Sequence, residues 1–307
     1  MRSAHGVHQP PTPPRRKSDR QGFTLNALPP RRRDARPVLP VEARCGIRRA
    51  YDGGAMDGMG ICYSDYSNGS DERAWQQCRW LWQRPATPLA SLCGSAERIM
   101  LLATDPGDEV LGCGGLLKCV AEHTQVRILA LTDGEACYAG EPWWTPARLR
   151  QARRDEQCEA LERVGIGAAS IVRLGIADGM LAAHEQALER WLRGTLRPND
   201  LLLAPWRFDG RADHEAAGRA ACRAARSVGC ARLEYPVWGW HWMDPGCAHM
   251  AWESPRLLDI ESVIDCKRGA VSLLRTQTGA IEYLRAEPAL PARVLARFQR
   301  NHEVFLA

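Results

Sequence analysis

Residues 99–115 read Ile99-Met100-Leu101-Leu102-Ala103-Thr104-Asp105-Pro106-Gly107-Asp108-Glu109-Val110-Leu111-Gly112-Cys113-Gly114-Gly115. The apolar run from Ile99 to Ala103 predicts a buried strand, and Pro106-Gly107 turns it into an acidic loop. The small residues beyond Val110 open a helix, which the pattern carries from about Leu111 to His123. Strand, loop and helix in this order form the unit of an open α/β sheet, where ligands gather outside the carboxyl ends of the strands. Asp105, Asp108 and Glu109 therefore stand where chemistry is done, although acids at a helix start also serve the helix dipole alone.

The same alternation continues along the chain. Val126 to Leu131 predicts a second strand, ending in Thr132-Asp133-Gly134-Glu135. Thr145 caps a helix that begins at Pro146 and that Gly165 stops. Ser170 to Leu174 predicts a short strand, followed by Asp178-Gly179 and a helix from about Glu185 to Leu196. Asp200 to Trp206 is a buried strand that delivers Asp209-Gly210-Arg211-Ala212-Asp213-His214 to a helix over Glu215 to Ser227. Leu233 to Trp242 reads as one more strand with an aromatic end, residues 260–284 as one long helix, and Glu303 to Leu306 as the closing segment. This order predicts an α/β fold, a Rossmann-like mostly parallel sheet with helices on both faces and right-handed crossovers.

The chain has 307 residues and a net charge of +5. Residues 1–50 hold 12 Lys and Arg against 3 Asp and Glu, so the basic character belongs to this arm and the remainder is acidic. Eight prolines, Arg15-Arg16-Lys17 and Arg31-Arg32-Arg33 make residues 1–55 a disordered arm, with Met56 or Met59 as an alternative start. Nucleic-acid binding rests on that arm alone. Residues 56–96 form a lead-in whose Trp75, Cys78 and Trp82 fall at helical spacing, and residues 97–307 form one domain. No stretch has the length of a membrane span and the arm lacks a secretory h-region, which predicts a cytoplasmic protein; its oligomeric state is left open. The 12 cysteines contain no C-x-x-C pair and are expected to be reduced.

Three strand ends carry polar residues that can converge: Asp105 with Asp108, Asp133 with Glu135, and Asp213 with His214. Two carboxylates three residues apart plus one distant imidazole suit a three-ligand metal site with an open position. Asp105, Asp108 and His214 are the expected ligands. Gly112-Cys113-Gly114-Gly115-Leu116-Leu117 lacks the last glycine of a dinucleotide fingerprint, which argues against a nicotinamide enzyme.

Together these segments, with Arg153-x-x-Glu156, Leu174-Gly175-x-x-Asp178-Gly179 and Glu303-Val304-Phe305-Leu306, resemble the LmbE-like or PIG-L zinc-dependent N-deacetylases over about residues 97–307. The resemblance implies removal of an N-acetyl group from an N-acetylglucosamine-type amino-sugar conjugate. It implies Asp105, Asp108 and His214 as ligands of Zn²⁺ or another divalent cation such as Mn²⁺. It places Arg153 and Asp178 against the substrate; His241, at the aromatic strand end, joins them as a substrate-binding candidate.

Three positions depart from the family pattern. Asp105 stands for the usual ligand His, Gly107 for the usual general base, and Arg211 for an assisting His. A second carboxylate makes the site harder and a bound water less acidic. Loss of a positioned base costs on the order of 10²- to 10⁴-fold in rate. Glu109 is the nearest substitute, and Arg211 can stabilise an oxyanion but cannot release a proton. The expectations are thus a weakened hydrolase with Arg211 and Glu109 as catalytic candidates, or a sugar- or metal-binding regulatory protein. Reverting all three positions is expected to raise hydrolysis.

Overall fold

The computed structural model describes residues 70–252 and 254–307. The basic arm and the lead-in up to residue 69 lie outside these residues. Three short helices, α1 (Glu72–Gln76), α2 (Arg79–Trp82) and α3 (Leu89–Cys93), lead into the sheet. Then β1 (Arg98–Ala103), α4 (Asp108–Val120), β2 (Gln125–Ala130), α5 (Pro146–Arg163), β3 (Ile171–Arg173), α6 (Leu181–Thr195), β4 (Asp200–Pro205), α7 (Ala212–Val228) and β5 (Ala231–Tyr235) alternate. All five strands are parallel, in the order β3-β2-β1-β4-β5. The chain moves outward from β1 to β3 and returns to the other side of β1 as β4. The order reverses there, and the loops after β1 and β4 open a crevice between them.

Alternation along β1 divides the core. Ile99, Leu101 and Ala103 join Leu116, Leu117 and Leu161 of α4 and α5 on one face, while Met100 and Leu102 join Leu188, Leu192 and Ala217 of α6 and α7 on the other. Burial on both faces explains the continuous apolar run at each strand. Thr145 caps α5, its hydroxyl accepting the Arg148 N–H at 3.4 Å, with Pro146 in the first turn as its sequence predicts.

Beyond β5 come α8 (Gly239–Trp242), α9 (Ala248–Ala251), β6 (Arg256–Asp259), α10 (Ile264–Ser272), α11 (Arg275–Thr278), α12 (Ala292–Leu295) and β7 (His302–Phe305). Strands β6 and β7 form a separate antiparallel pair, of which β6 was not legible in the apolar pattern.

Several expected boundaries are corrected. Helix α4 starts at Asp108 rather than Leu111, so two of the loop's acids lie in its first turn, and α6 starts at Leu181 rather than Glu185. Strand β5 stops at Tyr235 instead of running to Trp242. Pro236 has no N–H to donate, and the next three N–H groups turn to the Asp209 carboxylate. Residues 260–284 are not one helix: α10 ends at Ser272 and α11 restarts at Arg275. The break lets Thr276 donate its N–H and hydroxyl to Glu156 at 2.9 and 2.6 Å.

The lead-in helix is likewise two helices, broken at Cys78. Trp75 is fully buried, stacks on Trp252 with centroids 5.5 Å apart, and donates its Nε1–H to Ser70 Oγ and the Trp240 carbonyl. Packing, not ligand stacking, accounts for this ring and for the buried Trp240 and Trp242. The ten cysteines among the described residues are not joined in disulfides. No helix among them is long and apolar enough to cross a membrane.

Candidate metal centre

Asp105 leaves the end of β1, Asp108 opens α4 and His214 lies in the first turn of α7. All three are buried, and one ligand atom from each lies within 4.8 Å of the others. The Asp105 N–H donates to Asp108 Oδ2 at 2.8 Å, and Thr132 Oγ1 donates to Asp105 Oδ1 at 3.1 Å. His214 Nε2 stands 3.3 Å from Asp108 Oδ2 but makes no hydrogen bond.

Asp209 explains how the imidazole is held. Its carboxylate accepts the N–H groups of Val237, Trp238 and Gly239, at 2.7 to 3.1 Å for the shortest contact of each, and sits 2.9 Å from His214 Nδ1. This acceptor fixes the proton of a neutral imidazole on Nδ1 and leaves Nε2 as a lone pair facing Asp108. The donor set therefore fits a divalent cation: two carboxylates and one orphaned, buried imidazole nitrogen, oriented by a third carboxylate. Without a cation, burial opposes a charged imidazole, yet Asp108 and Asp209 outweigh it and raise the His214 pKa to about 10. Cation and proton thus compete for the same nitrogen.

A cleft of about 340 Å³ opens on this group. Asp105, Asp108, Arg153, Asp178, Arg211 and Trp238 are among its walls. Arg211 precedes α7, places Nη1 3.3 Å from Asp105 Oδ2, and lies over the Trp238 ring at 4.9 Å. Burial opposes the Arg211 charge, but Asp105, Asp108 and Asp178 exceed that effect and hold it firmly protonated. Arg153 is 2% exposed and its Nε has no hydrogen-bond partner among the described residues. It reaches the cleft across Gly134, where a Cβ would lie 1.9 Å from Nη1. No ion pair joins Arg153 to Glu156, one turn along α5, among the described residues, and the two Glu156 oxygens accept from Thr276. Asp178 accepts the Ala136 N–H at 3.0 Å, and burial, then the Asp105 charge, pushes its pKa up to about 6.

Other expected members stand apart. Asp133 is held by Arg154 at 2.6 Å and Glu135 by Arg150 at 3.1 Å, so this strand end supplies ion pairs, and its Thr132 is what reaches the site. Asp213 accepts the N–H groups of Gly179 and Leu181, tying down the loop after β3. His241 lies on α8, outside the lining of the cleft, and burial with Arg297 and Arg293 lowers its pKa to about 4. Glu109 is fully buried, is not part of the cleft wall, and accepts the Gly107 N–H at 3.1 Å; burial and Asp108 raise its pKa to about 7.

Gly107 is committed to its own role. Its φ of +106° belongs to glycine, and a Cβ there would lie 2.7 Å from Leu274 Cδ1 and 3.0 Å from Gln277 Nε2. Gln277 also donates its amide to the Pro106 carbonyl at 2.6 Å. The place where the family pattern carries a base is thus filled from α11 and the residue before it. Sequence reasoning missed Asp209 and Gln277; Asp209 stands in a quoted motif, but nothing local tells that its carboxylate turns back to His214.

Residues 100–225 match the PIG-L family, described as GlcNAc-PI de-N-acetylase. No curated protein sequence matches the chain. Among solved structures, N,N'-diacetylchitobiose deacetylase from Pyrococcus horikoshii is similar at 18% identity and TM-score 0.52, over 77% of this chain and 92% of that one. A conserved protein from Thermus thermophilus is similar at 27% identity and TM-score 0.49, over 68% of this chain and 93% of that one. The crevice at the reversal of the sheet order lies within residues 100–225, the stretch that matches the PIG-L (LmbE-like) family.

Proposed function

We propose that the cleft hydrolyses the N-acetyl group of an amino-sugar conjugate, with a divalent cation, Zn²⁺ or Mn²⁺, held by Asp105, Asp108 and His214. The observation that carries this reading is the buried ligand group with its orphaned Nε2, oriented by Asp209. A cation in that place would supply Lewis-acid polarisation of the acyl carbonyl. The chain's own residues do the rest. Arg211 offers a fixed positive charge to the developing oxyanion, Arg153 and Asp178 offer a donor and an acceptor to sugar hydroxyls, and Glu109 holds the Gly107 turn. No side chain at position 107 takes a proton from water, and Arg211 does not give one to the leaving amine.

That last feature favours a second reading, a protein that binds a cation and an amino sugar but turns over slowly. We place the working unit at residues 97–307, with 56–96 as its lead-in and the basic arm appended, in a reducing, cytoplasmic setting, a reading supported by cysteines without a C-x-x-C pair. Acetate release from N-acetylglucosamine conjugates by the zinc- or manganese-loaded full chain tests the hydrolase. Release that Asp108→Ala and His214→Ala abolish supports it; saturable sugar binding without release favours the second reading; neither binding nor release by folded, loaded protein overturns both.

A further inference from the structure

Among the described cysteines, Cys137 is the one that lines the cleft, and it is partly exposed there. Its N–H donates to the Gly134 carbonyl at 3.4 Å, closing a turn that packs on Arg153, since a Cβ at Gly134 would lie 1.9 Å from Arg153 Nη1. The turn sets the sulfur in the field of that guanidinium. Burial opposes the Arg153 charge, and Cys137 leads the negative groups, ahead of Asp105, that outweigh it and raise the Arg153 pKa. A second guanidinium, Arg211, lines the same cleft and is held protonated in part by the same sulfur.

Arg153 is a buried cation that lacks an anion. It is 2% exposed, its Nε has no partner, and no hydrogen bond or ion pair holds it among the described residues. A charge left so is costly. The other groups around it are committed. Tyr138 donates its hydroxyl to the Thr276 carbonyl at 2.6 Å, and burial pushes its pKa up to about 12, so it stays neutral. Glu156 accepts from Thr276, Asp178 accepts the Ala136 N–H, and Asp105 stands 3.3 Å from Arg211. The Cys137 sulfur is what remains to answer Arg153.

A cysteine reacts as its thiolate, which forms beside guanidinium groups at partly exposed positions, whereas apolar burial keeps a thiol inert. Burial pushes the thiols of Cys78, Cys93, Cys119 and Cys230 up, and that of Cys113 well up. Cys137 has the contrary surroundings. We infer that Cys137 is a modification site, the described cysteine that hydrogen peroxide oxidises first, and that its oxidation closes the cleft. The thiolate sulfur attacks one peroxide oxygen; an S–O bond forms as the O–O bond breaks, and hydroxide leaves. Sulfur is oxidised by two electrons to the sulfenic acid and the peroxide is reduced by the same two. The added oxygen, once ionised, gives Arg153 its anion and occupies from within the guanidinium offered to sugar hydroxyls. This closure rests on the amino-sugar reading of the cleft; the reactivity of the thiol does not.

Treatment of the full chain with hydrogen peroxide in the presence of dimedone, which traps sulfenic acids, followed by peptide mass spectrometry, tests the reactivity. Cys137 is expected to label before every other described cysteine and at least about tenfold faster than Cys113. Arg153→Met should slow that labelling by about threefold, and Arg153→Lys, which keeps the charge, should not. Labelling that starts at another described cysteine, or a Cys137 rate unchanged in a folded Arg153→Met protein, overturns the inference. Calorimetric titration with N-acetylglucosamine then reads the closure. Affinity should fall at least about tenfold after peroxide and return after a dithiol, while Cys137→Ser should bind the sugar equally before and after peroxide. An oxidised parent that binds as tightly as the reduced one overturns the closure. A reduced parent that binds no sugar overturns the amino-sugar reading alone, and the labelling still decides the thiol.

Discussion

Gly107→Asp, which restores the family's usual acid, is expected to damage the protein rather than activate it. At φ +106° a residue with a Cβ is strained by about 1–3 kcal/mol. The new Cβ also meets Leu274 Cδ1 at 2.7 Å and Gln277 Nε2 at 3.0 Å, overpacking that costs about 1–3 kcal/mol more. Together these give about 2–6 kcal/mol, which for a domain of this size lowers the melting temperature by roughly 4–24 °C. Thermal unfolding of the full chain followed by circular dichroism measures it. Gly107→Ala carries the same Cβ without the charge and should lose nearly as much; adding Leu274→Ala should recover only the packing share. Acetate release should not rise. A Gly107→Asp protein that melts with the parent and hydrolyses faster would refute this reasoning, and with it the view that α11 fills the place of the base.

Three further outcomes follow from other parts of the structure. Asp209→Asn removes the carboxylate that fixes the His214 tautomer and should weaken cation binding by about 10- to 100-fold, read by calorimetry. Lys267→Met leaves Glu303 buried and without the cation that sits 2.8 Å away, and chemical denaturation should show a loss of about 3–5 kcal/mol. His241 is held neutral in the fold, with its pKa lowered to about 4 against 6.5 when unfolded. The unfolded chain therefore binds the extra proton between those values, and stability falls as pH drops through that window. His241→Asn should flatten the fall, by about 2 kcal/mol after allowing for solvent screening, in denaturation curves at pH 7 and pH 4.

How much of this was legible in the sequence follows from what each residue's partner is. The strands β1, β2 and β4 are doubly buried, so their apolar runs announce them, and Thr145-Pro146 announces a helix start by local chemistry. The ligand group was legible because Asp105 and Asp108 are neighbours in sequence and His214 opens the next strand's helix. What was not legible depends on distant contacts. The end of β5 is set by Asp209, the break between α10 and α11 by Glu156, and the emptiness at position 107 by Leu274 and Gln277. A reversion that looks simple in the motif is blocked by residues far along the chain. Asp133 and Glu135 look like site acids for the same reason in reverse, since their arginine partners lie one helix away on α5.

The most direct measurement is the stoichiometry of cation bound by the full chain, taken by metal analysis after loading with Zn²⁺ and exhaustive dialysis. One equivalent bound by the parent, and none by Asp108→Ala or His214→Ala of unchanged circular dichroism, is the expected result. A parent that retains no cation, or a His214→Ala variant that retains a full equivalent, would contradict a metal centre built from Asp105, Asp108 and His214.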